Sequence, residues 1–254
     1  MKGKEELLGI IKRIAAGEYS GDILRLTRPE YPEEIREMAE AVGMMMVGIE
    51  AREYNLSLLV EQLKDNALKT VMGMANALSA RDEYTKGHAE RVSRYAERLA
   101  RRLGMGDDEV EHIRIGGMLH DIGKIGFSDR LLTNQDTRPD PEMLAEIRTH
   151  PTWGMQILQG LDFLGPALEF VHAHHERMDG KGYPRGIPAG ELPRGARILA
   201  VADCFDAITT TRCYQQGRSA EVAFDILRQL AGDHLDPDLV GIFIDEIGTG
   251  GMEA

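Results

Sequence analysis

The chain has 254 residues, 43% of them apolar but only 6% aromatic, with a formal net charge of −12. That length fits one large domain or one domain with an appendage, and the acidic balance argues against a general DNA- or RNA-binding surface, which needs a basic face. Two cysteines without CxxC spacing fit a reducing cytoplasm better than secretion. Nothing at the N-terminus has signal-peptide character, and the longest apolar run, residues 41–49, falls far short of the roughly 20 residues that span a bilayer.

Helix formers abound and few stretches alternate in the manner of strands, so the expected class is all-α. Residues 1–74 read as a region of their own. Leu7, Ile10, Ile11 and Ile14 mark a short amphipathic helix stopped near Gly17, and a connector with Gly21, Pro29 and Pro32 follows. A second helix opens at Glu33, with acidic residues in the turn where the helix dipole favours them. Its apolar positions, Ile35, Met38, Val42, Met45, Ile49, Leu56, Leu59 and Leu63, step by three and four in heptad spacing, broken by Arg52. Past Leu63 the stripe moves to Ala67, Val71, Met74 and Leu78, an insertion that locally unwinds a coiled coil. The segments Ile14-Ala-Ala-Gly17-Glu and Pro32-Glu-Glu-Ile35-Arg-Glu-Met-Ala resemble a HAMP signal-relay module, although the usual proline of its first helix is absent. A plain dimerising helical hairpin would look the same, and either version predicts a parallel homodimer.

From residue 75 to 254 helical patterns alternate with glycine- and proline-rich loops. Thr85 to Leu103 reads as one helix, capped by Thr85 and stopped at Gly104. Its core stripe of Val92, Tyr95, Ala96, Leu99 and Leu103, carried back by four, places His88 on the buried face. A polar ring there needs a partner, and a lone histidine so placed is more often a satisfied core residue than a ligand. The next helix starts near Asp108, with Glu111 in capping-box position. Val110, Ile113 and Gly117 lead along one face to His120, and Asp121-Ile-Gly-Lys-Ile-Gly126 ends the helix with Lys124 beside the same pocket. His150 follows the helical stretch 141–149 and precedes Pro151, which puts it at a helix end. His174 and His175 lie on a helix opened by Pro166 and diverge by about 100°, so they can flank one ion, or one can ligate while the other supports. Asp203 sits in the apolar run Ile198-Leu-Ala-Val-Ala-Asp, where a carboxylate is costly unless paired or metal-bound. Between 176 and 197, Arg177, Lys181, Arg185, Arg194 and Arg197 form a basic stretch in an acidic protein, either an ordinary charged loop or a cradle for an anion.

Histidine and aspartate at separate places, each on an apolar helix or at its end, point to a metal site. Mixed imidazole and carboxylate donors suit Fe, Mn, Zn or Co better than Mg or Ca. A carboxylate bridging two ions allows them to activate water and to stabilise both the attacking and the leaving oxygen of a phosphoester. The strings Arg81-Asp-Glu-Tyr-Thr-Lys-Gly-His88, His120-Asp-Ile-Gly-Lys124, His150-Pro-Thr-Trp-Gly154 and His174-His-Glu-Arg-Met-Asp-Gly-Lys-Gly-Tyr-Pro184 occur in order. They continue with Arg197-Ile-Leu-Ala-Val-Ala-Asp-Cys-Phe-Asp-Ala207, Arg212-Cys-Tyr214 and Asp236-Pro237. In order and spacing, residues 75–247 resemble the HD-GYP family, a branch of the HD phosphohydrolases that cleaves cyclic di-GMP.

That resemblance implies an HD-type helical bundle and two divalent ions, Fe or Mn. One ion would be held by His88, His120, Asp121 and Asp203, the other by Asp121 as bridge with His150, His174 and His175. Some members hold a third metal through a Glu four residues before the position of His88, where this chain has Tyr84. Substrate contacts are implied for Lys124, Tyr183, Asp206 and Arg212, and a substrate or protein-partner role for the loop Gly182-Tyr-Pro184. The implied reaction is in-line attack by a metal-bridging hydroxide on cyclic di-GMP, giving pGpG and, after a second cleavage, GMP. Two departures bear on the pocket entrance: Thr133-Asn-Gln-Asp-Thr-Arg-Pro139 replaces a Lys-Pro turn, and Cys213 replaces the proline between Arg212 and Tyr214. The alternatives are a phosphodiesterase for another 3′,3′-cyclic dinucleotide, or a dinucleotide-binding or interaction module with little turnover.

Overall fold

The computed structural model describes residues 3–81, 87–132, 140–211 and 216–249. The chain divides into two compact units, Met1–Leu68 and Lys69–Ala254. Both are helical, and among the described residues the only β-type pairing is an isolated bridge between Ala231 and Leu235. No helix is long and apolar enough to cross a membrane among those residues.

In the first unit, α1 (Lys4–Ala15) buries Leu7 and Ile10 on one face, with Glu5 and Glu6 in its first turn and Lys12 and Arg13 in its last. That charge order complements the helix dipole at both ends. The connector holds more structure than its glycine and prolines suggest: Gly21–Thr27 winds into a 3₁₀ helix whose Ile23 and Leu26 are fully buried. Residues three apart eclipse on such a helix, so two apolar side chains suffice to plug the hairpin. Next, α2 (Glu33–Arg81) runs uninterrupted for 49 residues. It turns Ile35, Ala39 and Met46 into the core shared with α1 and the 3₁₀ segment. The heptad positions Met38, Met45, Leu56, Leu59 and Leu63 remain exposed.

The second unit is built from α3 (His88–Arg102), α4 (Asp107–Leu119), α5 (Asp129–Leu132), α6 (Pro141–Ile147), α7 (His150–Leu158), α8 (Ala167–Ala173), α9 (Arg194–Thr209), α10 (Ala220–Leu230) and α11 (Pro237–Thr249). Its main core joins α3, α4, α9, α10 and α11 through Val92, Leu99, Ile113, Ile198, Phe205, Leu227 and Phe243. Phe205 is the aromatic hub, edge-on to Tyr95 at 5.1 Å and to Phe243 at 5.2 Å and stacked on Phe224 at 5.7 Å. Helices α3 and α4 approach closely because Gly117 faces the backbone of Ser93: a Cβ there would lie 2.7 Å from Ser93 Cα. At the far end, Asp236 caps α11 by accepting from the amides of Asp238 and Leu239, while its other oxygen pairs with Arg197 of α9 at 2.8 Å.

Three sequence expectations shift. α3 begins at His88 behind a left-handed Gly87, and the expected cap Thr85 lies outside the described residues. The acid that closes the α4 capping box is Glu109, which accepts from the Gly106 amide, while Glu111 pairs with Arg114 one turn on. His150 opens α7 instead of closing the helix before it, because α6 stops at Ile147 and Pro151 is well suited to a first turn.

Phe243 has no exposed surface and contacts both Tyr95 and Phe205. Phe243→Ala should therefore cost about 3–5 kcal/mol, read as a lowered urea midpoint. A midpoint within error of the parent would show that α11 is not part of the cooperative core.

Candidate metal centre

The ends of four helices and the middle of a fifth deliver the candidate ligands to one place. His88 opens α3, His120 follows the last residue of α4 with Asp121 next to it, and His150 opens α7. His174 follows α8 with His175 next to it, and Asp203 projects from within α9. Donor atoms of His88, His120 and Asp203 lie within 4.8 Å of one another, as do those of His150, His174 and His175, and those of His120, Asp121 and His174. Asp121 stands between the groups. Its Oδ2 is 3.4 Å from His120 Nε2 and 3.7 Å from His88 Nε2, and its Oδ1 is 3.6 Å from His150 Nε2. One oxygen faces each side, as a bridging carboxylate requires.

The histidines are aimed by their own backbone. Nδ1 of His120 is 2.8 Å from the Gly117 carbonyl, Nδ1 of His150 is 2.7 Å from that of Ile147, and Nδ1 of His174 is 2.7 Å from that of Val171. A carbonyl can only accept, so each Nδ1 carries a proton and each Nε2 is turned toward the centre. Nε2 of His150 and Nε2 of His174 then face each other at 3.2 Å, and the buried Nε2 of His120 has no hydrogen-bond partner. Burial, followed by the neighbouring charges, pushes His174 well below the ordinary imidazole range. The same burial lowers His150 and takes His175 down to about 3. With His150, His174 and His175 held neutral and the ring nitrogens converging on a common point, the group forms a donor set that a cation would satisfy. The residues present fit divalent metal ions.

The carboxylates complement this. Burial would raise Asp121, but Lys124 and the surrounding imidazoles hold it well below the ordinary carboxylate range. Asp203 is lowered in the same way, against burial, by its hydrogen bond with His88. His88 differs from the other rings: burial would lower it, but Asp203 and Asp206 on its two nitrogens raise it to about 9. His88 is thereby held toward its protonated form, and its Nε2, which faces Asp203 at 3.2 Å, would have to give up a proton to act as a metal ligand.

Asp206 corrects an expectation. It does not face the substrate side: it is 1% exposed, with one oxygen 2.7 Å from His88 Nδ1 and the other 2.6 Å from Arg91 Nε. It is a buried carboxylate that orients the ring of a candidate ligand, His88, from behind. Arg91 had no signal of its own, yet the spacing held one, since Arg91 lies three residues after His88 and Asp206 three after Asp203, each on the same helical face. Lys124 sits 2.6 Å from Asp121 Oδ2, at the edge of the ligand group. The glycine before it is forced by crowding, because a Cβ on Gly123 would lie 1.9 Å from the His150 carbonyl oxygen. Arg212 and Tyr84 lie outside the described residues, as do Cys213 and the stretch 133–139.

The ligands open on a cavity of about 370 Å³ walled by Arg148, His175, Arg177, Tyr183 and Asp203. The Tyr183 ring stacks on His175, 4.8 Å between centroids and 30° between planes. Burial and the nearby Asp203 and Asp121 push its hydroxyl above the ordinary tyrosine range, so it remains a neutral hydrogen-bond donor. The loop carrying it is pinned by Glu176, a residue the sequence did not single out. Its carboxylate, 4% exposed, accepts from the amides of Arg185 at 2.7 Å, Gly186 at 3.1 Å and Ile187 at 3.3 Å.

The HD domain family matches residues 73–239. The chain is similar to the 3′3′-cGAMP-specific phosphodiesterase 2 of Vibrio cholerae, 33% identical over 193 residues, which are 75% of this chain and 37% of that protein. It is also similar to the cyclic di-GMP phosphodiesterase of Thermotoga maritima, 38% identical over 183 residues, 71% of this chain and 50% of that protein. It spans half or less of the length of these two relatives. Among solved structures, an HDG"Y"P protein from Bdellovibrio bacteriovorus shares the fold, with a TM-score of 0.55 and 22% identity over 92% of this chain and 79% of that one.

Replacing the carboxylate behind His88 should loosen the metal without unfolding the chain. Asp206→Asn is expected to lower affinity for the ion near His88 by about 10–100-fold, read as metal lost to a competing chelator while the circular dichroism stays unchanged. Equal retention in parent and variant would show that Asp206 does not tune the site.

Proposed function

The chain belongs to the HD domain family, and from that premise we propose that it is a metal-dependent phosphodiesterase that hydrolyses cyclic di-GMP to pGpG and then to GMP. The observation that carries this reading is the set of inward-facing ring nitrogens and ionised carboxylates around Asp121, beside a cavity edged with arginine and tyrosine. His88, His120, Asp121 and Asp203 would hold one ion, and Asp121, His150, His174 and His175 a second, with Fe or Mn the metals best suited to these donors. When bound, such ions supply Lewis acidity, lowering the pKa of water and stabilising charge on phosphate oxygens.

The chain's own groups do the rest. Asp121 and Asp203, kept ionised, supply the negative charge that a divalent pair requires. Lys124 stands at the edge of the group, where its ammonium meets the scissile phosphate and strengthens its hold as charge grows there. Tyr183 keeps its proton and can donate to a phosphate oxygen or a base. The resemblance carries Arg212 into the same role of gripping phosphate. The cyclic dinucleotide as substrate is supported by relatives whose names specify cyclic di-GMP or 3′3′-cGAMP, and the second of these is the competing substrate.

The N-terminal unit is proposed as a HAMP-like, parallel dimerising segment that regulates the enzyme. Support comes from α2, whose heptad residues Met45 at 61%, Leu56 at 63% and Leu63 at 68% exposure are left uncovered by its own chain.

Protein purified anaerobically and reconstituted with Fe or Mn should bind about two metals per chain and convert cyclic di-GMP faster than 3′3′-cGAMP, with activity lost in Asp121→Ala. Faster turnover of 3′3′-cGAMP would reassign the substrate, and metal-loaded protein inert to both would remove the enzymatic reading. The dimer is tested separately. Leu56→Asp with Leu63→Asp should convert a dimer into a monomer by light scattering, and a parent that is already monomeric at micromolar concentration would overturn it.

A further inference from the structure

Arg148 stands on the cavity wall with no role assigned to it. It caps the C-terminal end of α6, two residues before His150, and its guanidinium carbon lies 5.8 Å from the centre of the Tyr183 ring. Tyr183 in turn stacks on His175. The three side chains form a pile that leads from the candidate ligands to the cavity wall.

Among the described residues, the other basic groups near the site each lie against a carboxylate. Arg177 is held by Asp179 at 2.9 Å, Arg197 by Asp236 at 2.8 Å, Lys124 by Asp121 at 2.6 Å, and Arg185 by Glu169. Lys181 is solvent-exposed and lies 3.8 Å from Asp179. Arg148 forms no ion pair with a carboxylate of the described residues and rests on an aromatic ring instead. In a chain of net charge −12, a guanidinium left unneutralised beside a cavity is an open anion contact. A helix C-terminus favours any cation nearby, but it does not account for the guanidinium lying over Tyr183 on the cavity wall. An aromatic face holds the planar group by cation–π attraction while leaving its fork of N–H donors free.

We propose that Arg148 is a substrate-binding residue that clamps the second, non-scissile phosphodiester of a cyclic dinucleotide. The inference rests on the function proposed above. Such a substrate carries two phosphodiesters in one ring. With one at Asp121 and Lys124, the other must lie away from the metals, where the cavity offers a guanidinium fork matched to two phosphate oxygens. Because the contact is remote from the reacting atoms, it acts on binding more than on the chemical step.

The test compares the metal-loaded full chain with Arg148→Ala and Arg148→Lys, using cyclic di-GMP and 3′3′-cGAMP for both steady-state turnover and equilibrium binding. Arg148→Ala should raise KM by about tenfold or more, the scale of a lost charge-assisted hydrogen bond, with kcat within about threefold of the parent and metal content unchanged. Arg148→Lys should recover part of the loss, and the KM of the parent should rise more steeply with salt than that of Arg148→Ala. Wild-type turnover with KM unmoved in Arg148→Ala overturns the clamp alone. A fall in kcat or in metal content with KM unmoved overturns it too, by making Arg148 a positioning residue for His150. Wild-type protein that neither binds nor cleaves either dinucleotide overturns the proposed function and the clamp together.

Discussion

The centre depends on one repeated contact, a ring Nδ1–H donating to the backbone carbonyl three residues earlier. His120, His150 and His174 all make it, to Gly117, Ile147 and Val171. Each of those carbonyls belongs to the last turn of a helix, where the ladder runs out and oxygens are left without an amide partner. The histidine that follows satisfies that oxygen, and in doing so fixes its own tautomer and the direction of its free nitrogen. Helix termination and ligand orientation are thus the same event, carried out at the ends of α4, α6 and α8. His88 is held differently. It begins a helix, and its Nδ1 meets the carboxylate of Asp206. That difference in backing accompanies opposite shifts, His88 upward and His150 and His174 downward.

Clustering so many neutral imidazoles and ionised carboxylates without metal is unfavourable, and the fold offsets it locally. Lys124 lies against Asp121 and Arg91 against Asp206, so each buried acid has a cation within hydrogen-bond reach. Nε2 of His120, by contrast, is buried with no hydrogen-bond partner. An unsatisfied buried ring nitrogen costs about 1–3 kcal/mol, a cost that a bound cation would remove. Metal is expected to stabilise the second unit through mass action on the folded state.

Much of this was legible in the sequence because it obeys helical spacing. The faces of α3 and α4 that carry His88 and His120 follow from Val92, Leu99, Val110 and Ile113, all buried. Asp203 was marked by its apolar surroundings. The residues that were missed act through geometry that composition does not encode. Glu176 binds three amides nine to eleven residues on, a loop closure with no period. Ile23 and Leu26 sit in a connector whose glycine and prolines masked a 3₁₀ turn. Asp206 was noticed but given the wrong direction. Its spacing from Asp203 puts both on one side of α9, and only the packing of α3 against that side shows that it meets His88 and not the cavity.

The first unit shows why periodicity alone cannot say which stripe faces inward. α2 carries two apolar stripes that share Ile35. Ala39 and Met46 extend one of them into the unit's own core, and Met38, Met45, Leu56 and Leu63 extend the other into solvent. A heptad pattern read from sequence merges them. Their separation in space has a mechanical consequence. Pairing of the exposed stripe with a second copy would leave the contacts with Ile23 and Leu26 intact, so association would not compete with folding of the unit. A signal that rotates α2 about its axis would exchange one stripe for the other and would have to break the buried set to do so. The buried stripe is pinned against two fully buried side chains, Ile23 and Leu26. A change in how the exposed stripe pairs would leave that buried set in place, whereas rotation of α2 within the unit would break it.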